Sequence, residues 1–307
     1  METRRIGSLA VSLVGLGCNN FGMTIDEDAS ARVVDAAIDA GITFFDTADI
    51  YGGTKSEVFL GRALAGRRDA VVIATKFGMR VDAARQGARP EYVRQAADDS
   101  LKRLGIDRID LYQLHQPDPT VPIADTLGAL DDLVRAGKVR EIGCSNFSAE
   151  QLRDARTAAL PGAAAFVSVQ NELSLLNREA EREVLPECER LGLAFLPYFP
   201  LASGLLTGKY ARGTAAPEGT RLSQGWAASR FLSDERLATV DALTAWARSR
   251  DHSLLELAMS WLASHDAISS VIAGATSPAQ VQANARAADW RLTAADRAEI
   301  DAIVRNR

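Results

Sequence analysis

Asp46, Tyr51, Lys76 and His115 stand at, or a few residues beyond, the ends of three successive apolar runs. These read Phe44-Phe45-Asp46-Thr47-Ala48-Asp49-Ile50-Tyr51, Ala74-Thr75-Lys76-Phe77-Gly78 and Leu111-Tyr112-Gln113-Leu114-His115. The four side chains make chemical sense together. A free phenol titrates near pH ~10, too high to release a proton readily at neutrality. A nearby ammonium favours the phenolate and lowers that value. A carboxylate keeps the ammonium charged and in place, and a histidine can donate a hydrogen bond to a carbonyl oxygen as negative charge gathers there. Such a set suits protonating an oxygen while hydride arrives at the neighbouring carbon. Taken singly, each also fits a structural role: a rim acceptor for Asp46, a snorkelling cation for Lys76, a turn tyrosine for Tyr51 beside Gly52-Gly53. Their occurrence on consecutive units is what points to chemistry.

The elements that must position them follow one rhythm. After a short hairpin-like opening over Arg4–Leu13, β-branched runs alternate with longer segments of helical period. Strands are expected at Val14–Cys18, Thr43–Thr47, Val71–Lys76, Ile109–His115, Val139–Cys144, Phe166–Gln170, Ala194–Phe199 and Ser269–Ala273. Helices are expected at Asp28–Ala40, Ser56–Leu64, Glu91–Leu104, Ile123–Ala136, Ala149–Ala158, Arg178–Leu191, Ser233–Arg250 and Pro278–Ala288, with an extra one at Ala294–Val304. Continuous apolar runs such as Val71-Val72-Ile73-Ala74 mark strands covered on both faces, hence a parallel sheet. Eight such units favour a closed (β/α)8 TIM barrel over an open sheet, and Gly15-Leu16-Gly17-Cys18-Asn19-Asn20-Phe21-Gly22 lacks the GxGxxG of the open dinucleotide-binding kind. The 307 residues thus read as one domain, with a long glycine-containing loop at about 200–231 over the strand C-terminal ends, where the chemistry of such barrels sits.

Bulk properties narrow the classes. A composition 47% hydrophobic and 24% charged is globular, and a net charge of −5 argues against nucleic acid or an anionic lipid surface as partner. Cys18, Cys144 and Cys188 form no CxxC pair, which fits a reducing, cytoplasmic setting. The start lacks a signal-peptide run, and no stretch of ~20 residues is apolar. His252 and His265, placed in helical segments with no HxH pattern, give no metal site. Ser148 with Gln151 reads as a capping box. Pro278 after Ser277 opens a helix whose free N–H groups suit an anion.

Gly41-Ile42-Thr43-Phe44-Phe45-Asp46-Thr47-Ala48-Asp49-Ile50-Tyr51-Gly52, followed by Ser56-Glu57 and Leu60-Gly61, resembles the first signature of the aldo-keto reductases, and the resemblance covers essentially the whole chain. It implies an enzyme reducing aldehydes or ketones with a nicotinamide cofactor. The family's tetrad falls on Asp46, Tyr51, Lys76 and His115: Tyr51 as acid, Lys76 tuning it, Asp46 supporting Lys76, His115 polarising the carbonyl. It further implies a cofactor held by Gly17, Cys18, Asn19, Asp46, Ser145, Asn146, Gln170, Tyr198, Phe199, Pro200, Leu201, Gly204, Leu205, Lys209, Gly274, Thr276, Gln280 and Asn284. Within that set Ser145, Asn146 and Gln170 meet the carboxamide, Tyr198 stacks on the ring, and Leu201, Gly204 and Lys209 line the pyrophosphate. Phe199 stands where the family often has serine. NADPH is expected ahead of NADH on family grounds, although Gly274, Thr276, Ser277 and Gln280 include no Lys or Arg for a 2′-phosphate. A small carbonyl substrate would meet Asn20, Phe21, Tyr51, His115 and Trp226, with Met23, Ile50 and Phe231 nearby. The competing readings are a nicotinamide-holding sensor or channel β-subunit, and a metal-dependent barrel hydrolase.

Overall fold

The computed structural model describes residues 1–305 except 219, 221 and 224, and the backbone without the side chains of 226 and 227. The first two strands, β1 (Thr3–Ile6) and β2 (Leu9–Ser12), form an antiparallel hairpin. Eight parallel strands follow: β3 (Val14–Gly17), β4 (Phe44–Asp46), β5 (Val72–Phe77), β6 (Ile109–Leu114), β7 (Val139–Ser145), β8 (Phe166–Glu172), β9 (Ala194–Tyr198) and β10 (Val271–Gly274). They pair in chain order, and β10 returns to β3. The ring closes where Phe195 N–H donates to Ala267 O and Ser269 N–H to Phe195 O.

Around the ring lie α1 (Glu27–Asp39), α2 (Lys55–Ala63), α3 (Pro90–Leu104), α4 (Ile123–Arg135), α5 (Ala149–Ala158) and α6 (Val184–Leu191). After β9 come α7 (Gly225–Phe231), α8 (Asp234–Arg248) and α9 (Leu254–Ala263), and after β10 come α10 (Pro278–Arg286) and α11 (Ala294–Arg305). Among the described residues no helix is long and apolar enough to cross a membrane.

Two expectations change. The helix read over Arg178–Leu191 is a short 3-10 turn at Glu179–Glu181 and then α6. Pro186 is the reason: with no N–H and a ring that clashes one turn back, it is tolerated only in a first turn. Secondly, the helix that packs on the barrel between β9 and β10 is α9 rather than α8. Eight of the ten α9 residues are buried, against five of fifteen in α8. His252 and His265 accordingly lie just outside α9, not within helices.

The barrel interior is filled in layers. Ile6, Leu9 and Val11 of the hairpin pack with Phe44, Ala74, Leu111, Ala194, Leu196 and Ile272 into a cluster separate from the main helix–sheet core. The hairpin is thus a plug under the barrel floor. Each fully buried side chain of this size contributes roughly 2–3 kcal/mol by removal from water. Because strand side chains alternate with period two, the next inward positions toward the C-terminal ends are Asp46, Lys76 and Gln113.

Candidate active site

Lys76 is wholly buried, and its Nζ donates to Asp46 Oδ2 at 2.6 Å and to Thr47 O at 2.9 Å. The other oxygen, Asp46 Oδ1, accepts from Gln170 Nε2 at 2.9 Å and from Gln113 Nε2 at 3.2 Å. Three further partners, Thr47 O, Gln170 and Gln113, thus satisfy a charge pair that burial would otherwise penalise heavily. Desolvation pulls Lys76 down, but Asp46 and Tyr51 overcome it, so its pKa is raised and it stays an ammonium.

Tyr51 sits in the connection after β4, with the Lys76 ammonium 5.1 Å from its ring centre and the His115 ring at 5.7 Å, edge on. Gly52 lets this connection close on the one after β3: its φ is +59°, and a Cβ there would meet Phe21 O at 2.3 Å. A lysine beside a phenol is expected to lower it. In the structure burial raises it, Lys76 pulls it down, Asp46 raises it again, and the net direction is upward. Tyr51 is therefore a protonated acid with a cation ready to receive its conjugate base. Burial, and then the Lys76 charge, push His115 down to about 3. It is a neutral imidazole at any working pH, a hydrogen-bond donor through a single N–H.

Beside this cluster, β7 and β8 present amides. Ser145 Oγ donates to Gln170 O at 2.7 Å, and Asn146 Nδ2 donates to His115 O at 2.9 Å and to Ser145 Oγ at 3.1 Å. Asn146 adopts a left-handed φ of +62°, which asparagine tolerates better than most residues. Tyr198 Oη donates to Asn146 Oδ1 at 2.7 Å, tying the end of β9 to the end of β7. With one Gln170 N–H given to Asp46, the acceptor oxygen of that amide and its second N–H are left.

Beyond β9 the backbone is strained, with positive φ at Phe199, Ala202 and Ser203. Phe199 packs edge-on against Tyr198 and Phe231, with centroids 5.3 and 5.9 Å apart, so only its backbone is available to a ligand. Arg230 on α7 pairs with Glu172 at the end of β8. The exposed Lys209 folds over Gly204, where a Cβ would come 3.3 Å from Nζ. Ser203 Oγ is buried with no hydrogen-bond partner among the described residues. A free buried hydroxyl, a glycine φ of +96° and an ammonium over it form a cradle that fits a diphosphate. Ser277 caps α10 by accepting from Gln280 N–H at 3.4 Å, and Gln280 Oε1 accepts from Thr276 N–H at 2.9 Å. Asn284 Nδ2 lies 3.5 Å from Gly274 O, and a Cβ on Gly274 would come 3.3 Å from Asn19 Oδ1.

The other expected residues lie as follows. Cys18 and Leu205 are fully buried, and the Cys18 backbone is spent on Asp46 O and Ser56 Oγ. Gly17 and Pro200 are buried, and Leu201 is half-buried. Phe21 is a core residue. Asn20 O gathers the N–H groups of Met23, Thr24 and Ile25, and its amide reaches Ala275 O at 3.3 Å, so it also braces its loop. Met23 is exposed, and the Trp226 side chain lies outside the described residues. Gln113 was missed, although counting back two from His115 puts it on the inward face. Two cavities lie away from this cluster, one lined by Ala88, Leu114, Pro117 and Phe147, the other by Arg62, Arg68, Lys102 and Arg103.

A parallel barrel carrying a buried ion pair, a protonated phenol and a neutral imidazole at its C-terminal mouth is the framework of an oxidoreductase. The chain belongs to the aldo/keto reductase family, whose model matches residues 13–305. It is 35% identical over 310 residues to the aldo-keto reductase YhdN of Bacillus subtilis (strain 168), covering 97% of this chain and 91% of that one. It is also similar to the structure of the glycerol dehydrogenase AKR11B4 from Gluconobacter oxydans, with a TM-score of 0.85 and 32% identity over 99% of this chain and 95% of that chain. Members of this family act on carbonyl compounds and use nicotinamide cofactors.

Proposed function

We propose that this enzyme reduces small aldehydes or ketones to alcohols with Tyr51 as the general acid. The observation that carries the reading is the Lys76 ammonium, locked on Asp46 and set against Tyr51, with the His115 ring edge-on to the same phenol. The carbonyl oxygen would accept a hydrogen bond from His115 and the proton from Tyr51 Oη. Lys76 would stabilise the phenolate left behind, and Asp46 would keep Lys76 charged. In the reverse direction the phenolate takes the proton back. When bound, the reduced nicotinamide supplies the hydride, so one C–H and one O–H bond form as the C=O double bond is lost.

Ser145, Asn146 and Gln170 would hold the carboxamide, Tyr198 would cover the ring face, and Ser203, Gly204 and Lys209 would hold the diphosphate. Thr276, Gln280 and the first turn of α10 would hold the adenosine phosphate. Tyr51, His115 and Trp226 would meet the substrate. NADPH is the cofactor the family favours, and the lack of a cation at Gly274, Thr276, Ser277 and Gln280 supports NADH as the second reading. Three free, buried cysteines fit a reducing, cytoplasmic setting.

The test is loss of nicotinamide absorbance with 4-nitrobenzaldehyde, using NADPH and then NADH, for wild type and Tyr51→Phe. Turnover should fall roughly 10²–10⁴-fold in the variant with cofactor affinity kept. Undiminished turnover in Tyr51→Phe would remove Tyr51 as the acid. Tight binding without turnover in wild type would make the protein a sensor.

A further inference from the structure

We propose that Asp49 is a positioning residue for the reaction: with its backbone N–H on Lys76 O and its buried carboxyl against Tyr92, it holds the connection that carries Tyr51 against Lys76. The proposal rests on the reading of Tyr51 as the acid. Beyond Asp46 the chain continues the β4–β5 ladder by two rungs, with Thr47 N–H on Ala74 O at 2.9 Å and Asp49 N–H on Lys76 O at 3.1 Å. Alternation then turns Thr47 and Asp49 away from the barrel interior. Thr47 meets Ser56 of α2, and Asp49 meets Tyr92 of α3. Asp49 is therefore tied through its backbone to the residue that tunes Tyr51, and stands two residues from Tyr51 itself.

Its surroundings suit a neutral acid and not an anion. Asp49 is 2% exposed, Tyr92 Oη lies at a long 3.4 Å from its Oδ2, and its Oδ1 has no partner among the described residues. The charged and titratable groups facing it are Glu57 from α2, Arg103 and Tyr92 from α3, and Tyr112 from β6. The Arg103 guanidinium is already committed to Glu57, 2.6 Å away, and Glu57 also accepts from Thr75 Oγ1. An ionised Asp49 would thus be a second buried anion beside Glu57 with no donor for one of its oxygens. Burial first, and Glu57 next, raise its carboxyl to about 7; Arg103, the Ile50 N–H and Tyr92 oppose them.

The sign follows. The folded-state value lies above the unfolded value near ~3.9, so the native connection is undisturbed at low pH. The penalty for ionisation begins above that unfolded value and is complete once pH has passed about 7. Above that point the carboxylate gains water only if the 46–51 connection shifts, and Tyr51 shifts with it. Tyr51 and Lys76 both keep raised values, so a fall in turnover just above neutrality is not theirs.

The experiment is kcat against pH with 4-nitrobenzaldehyde for wild type, Asp49→Asn, Tyr92→Phe and Tyr51→Phe, with infrared difference spectra of wild type against Asp49→Asn. Wild-type kcat should fall at least about fivefold from pH ~6 to pH ~9. Asp49→Asn, which imitates the neutral acid, should lose that limb and keep activity within about twofold of wild type at the lower pH. Tyr92→Phe removes a donor that favours the carboxylate, so its limb should move to higher pH. The infrared spectrum should show the C=O stretch of a protonated carboxyl below neutrality. An unaltered limb in Asp49→Asn, an equal loss of turnover at all pH values, or no carboxylic band would overturn the proposal. Failure of the Tyr51 reading is separate: Tyr51→Phe would keep turnover while the carboxylic band stayed in place.

Discussion

The two ends of the barrel interior are built from the same strands, two residues apart. At the floor, Phe44, Ala74, Leu111, Leu196 and Ile272 close on the hairpin residues Ile6, Leu9 and Val11. One inward step further along β4, β5, β6, β9 and β10 stand Asp46, Lys76, Gln113, Tyr198 and Gly274. The floor is apolar and buried; the mouth holds an ammonium, a carboxylate and two amides in mutual contact. The floor makes the mouth workable, because a water-excluded base strengthens every electrostatic contact above it. The cost of burying Lys76 falls on one end of each strand and is offset at the other.

The largest expected effect comes from unbalancing the mouth. Lys76→Met should lower kcat about 10²–10⁴-fold, because Tyr51 loses the cation that receives its phenolate. It should also destabilise the fold by roughly 3–5 kcal/mol at neutral pH, since Asp46 is left as a buried anion without its partner. Chemical denaturation at neutral pH would check this: an unchanged midpoint would show that Asp46 does not depend on Lys76 for its burial. Phe44→Ala, at the other end of β4, is the matching test of the floor. It should cost about 3–5 kcal/mol through the cavity left under the hairpin, with kcat close to wild type while the protein is folded. A folded Phe44→Ala enzyme with kcat down by orders of magnitude would show that the two ends are not separable.

This division was largely legible before any coordinates. Strands buried on both faces betray themselves as unbroken apolar runs, so Val71-Val72-Ile73-Ala74 could be placed and Lys76 put at its end. Asp46, Tyr51, Lys76 and His115 do converge. The errors have physical causes. Helix α9 escaped notice because Leu254-Leu255-Glu256-Leu257-Ala258-Met259 has no polar stripe, as expected of a helix covered nearly all round. Its capping box, Ser253 with Glu256, was nevertheless there to be read. The break before α6 was signalled by Pro186. The upward shift of Tyr51 was not readable, since it depends on how deeply the phenol sits relative to Lys76. Neither was the hydrogen bond from the Asn20 amide to Ala275 O, a residue far along the chain.

Gln113 sits on the boundary between the two regions, and the smallest of these effects is the most discriminating. It is fully buried, its Nε2 reaches Asp46 Oδ1 at 3.2 Å, and its Oε1 has no partner among the described residues. Gln113→Leu extends the apolar floor upward by one position. A hydrogen bond to a charged group is lost, which removes roughly 1.5–3 kcal/mol, while a buried, unsatisfied acceptor costing about 1–3 kcal/mol is lost with it. These oppose each other in the folding equilibrium, so the denaturation midpoint should barely move. They do not oppose each other in turnover, because only the bond to Asp46 bears on how firmly Lys76 is held against Tyr51. A fall in kcat of about tenfold with KM little changed is the expected outcome. If stability and kcat fall together, Gln113 belongs to the packing of the floor. If neither moves, Gln170 alone suffices to hold Asp46, and the polar mouth begins one position higher than its hydrogen bonds suggest.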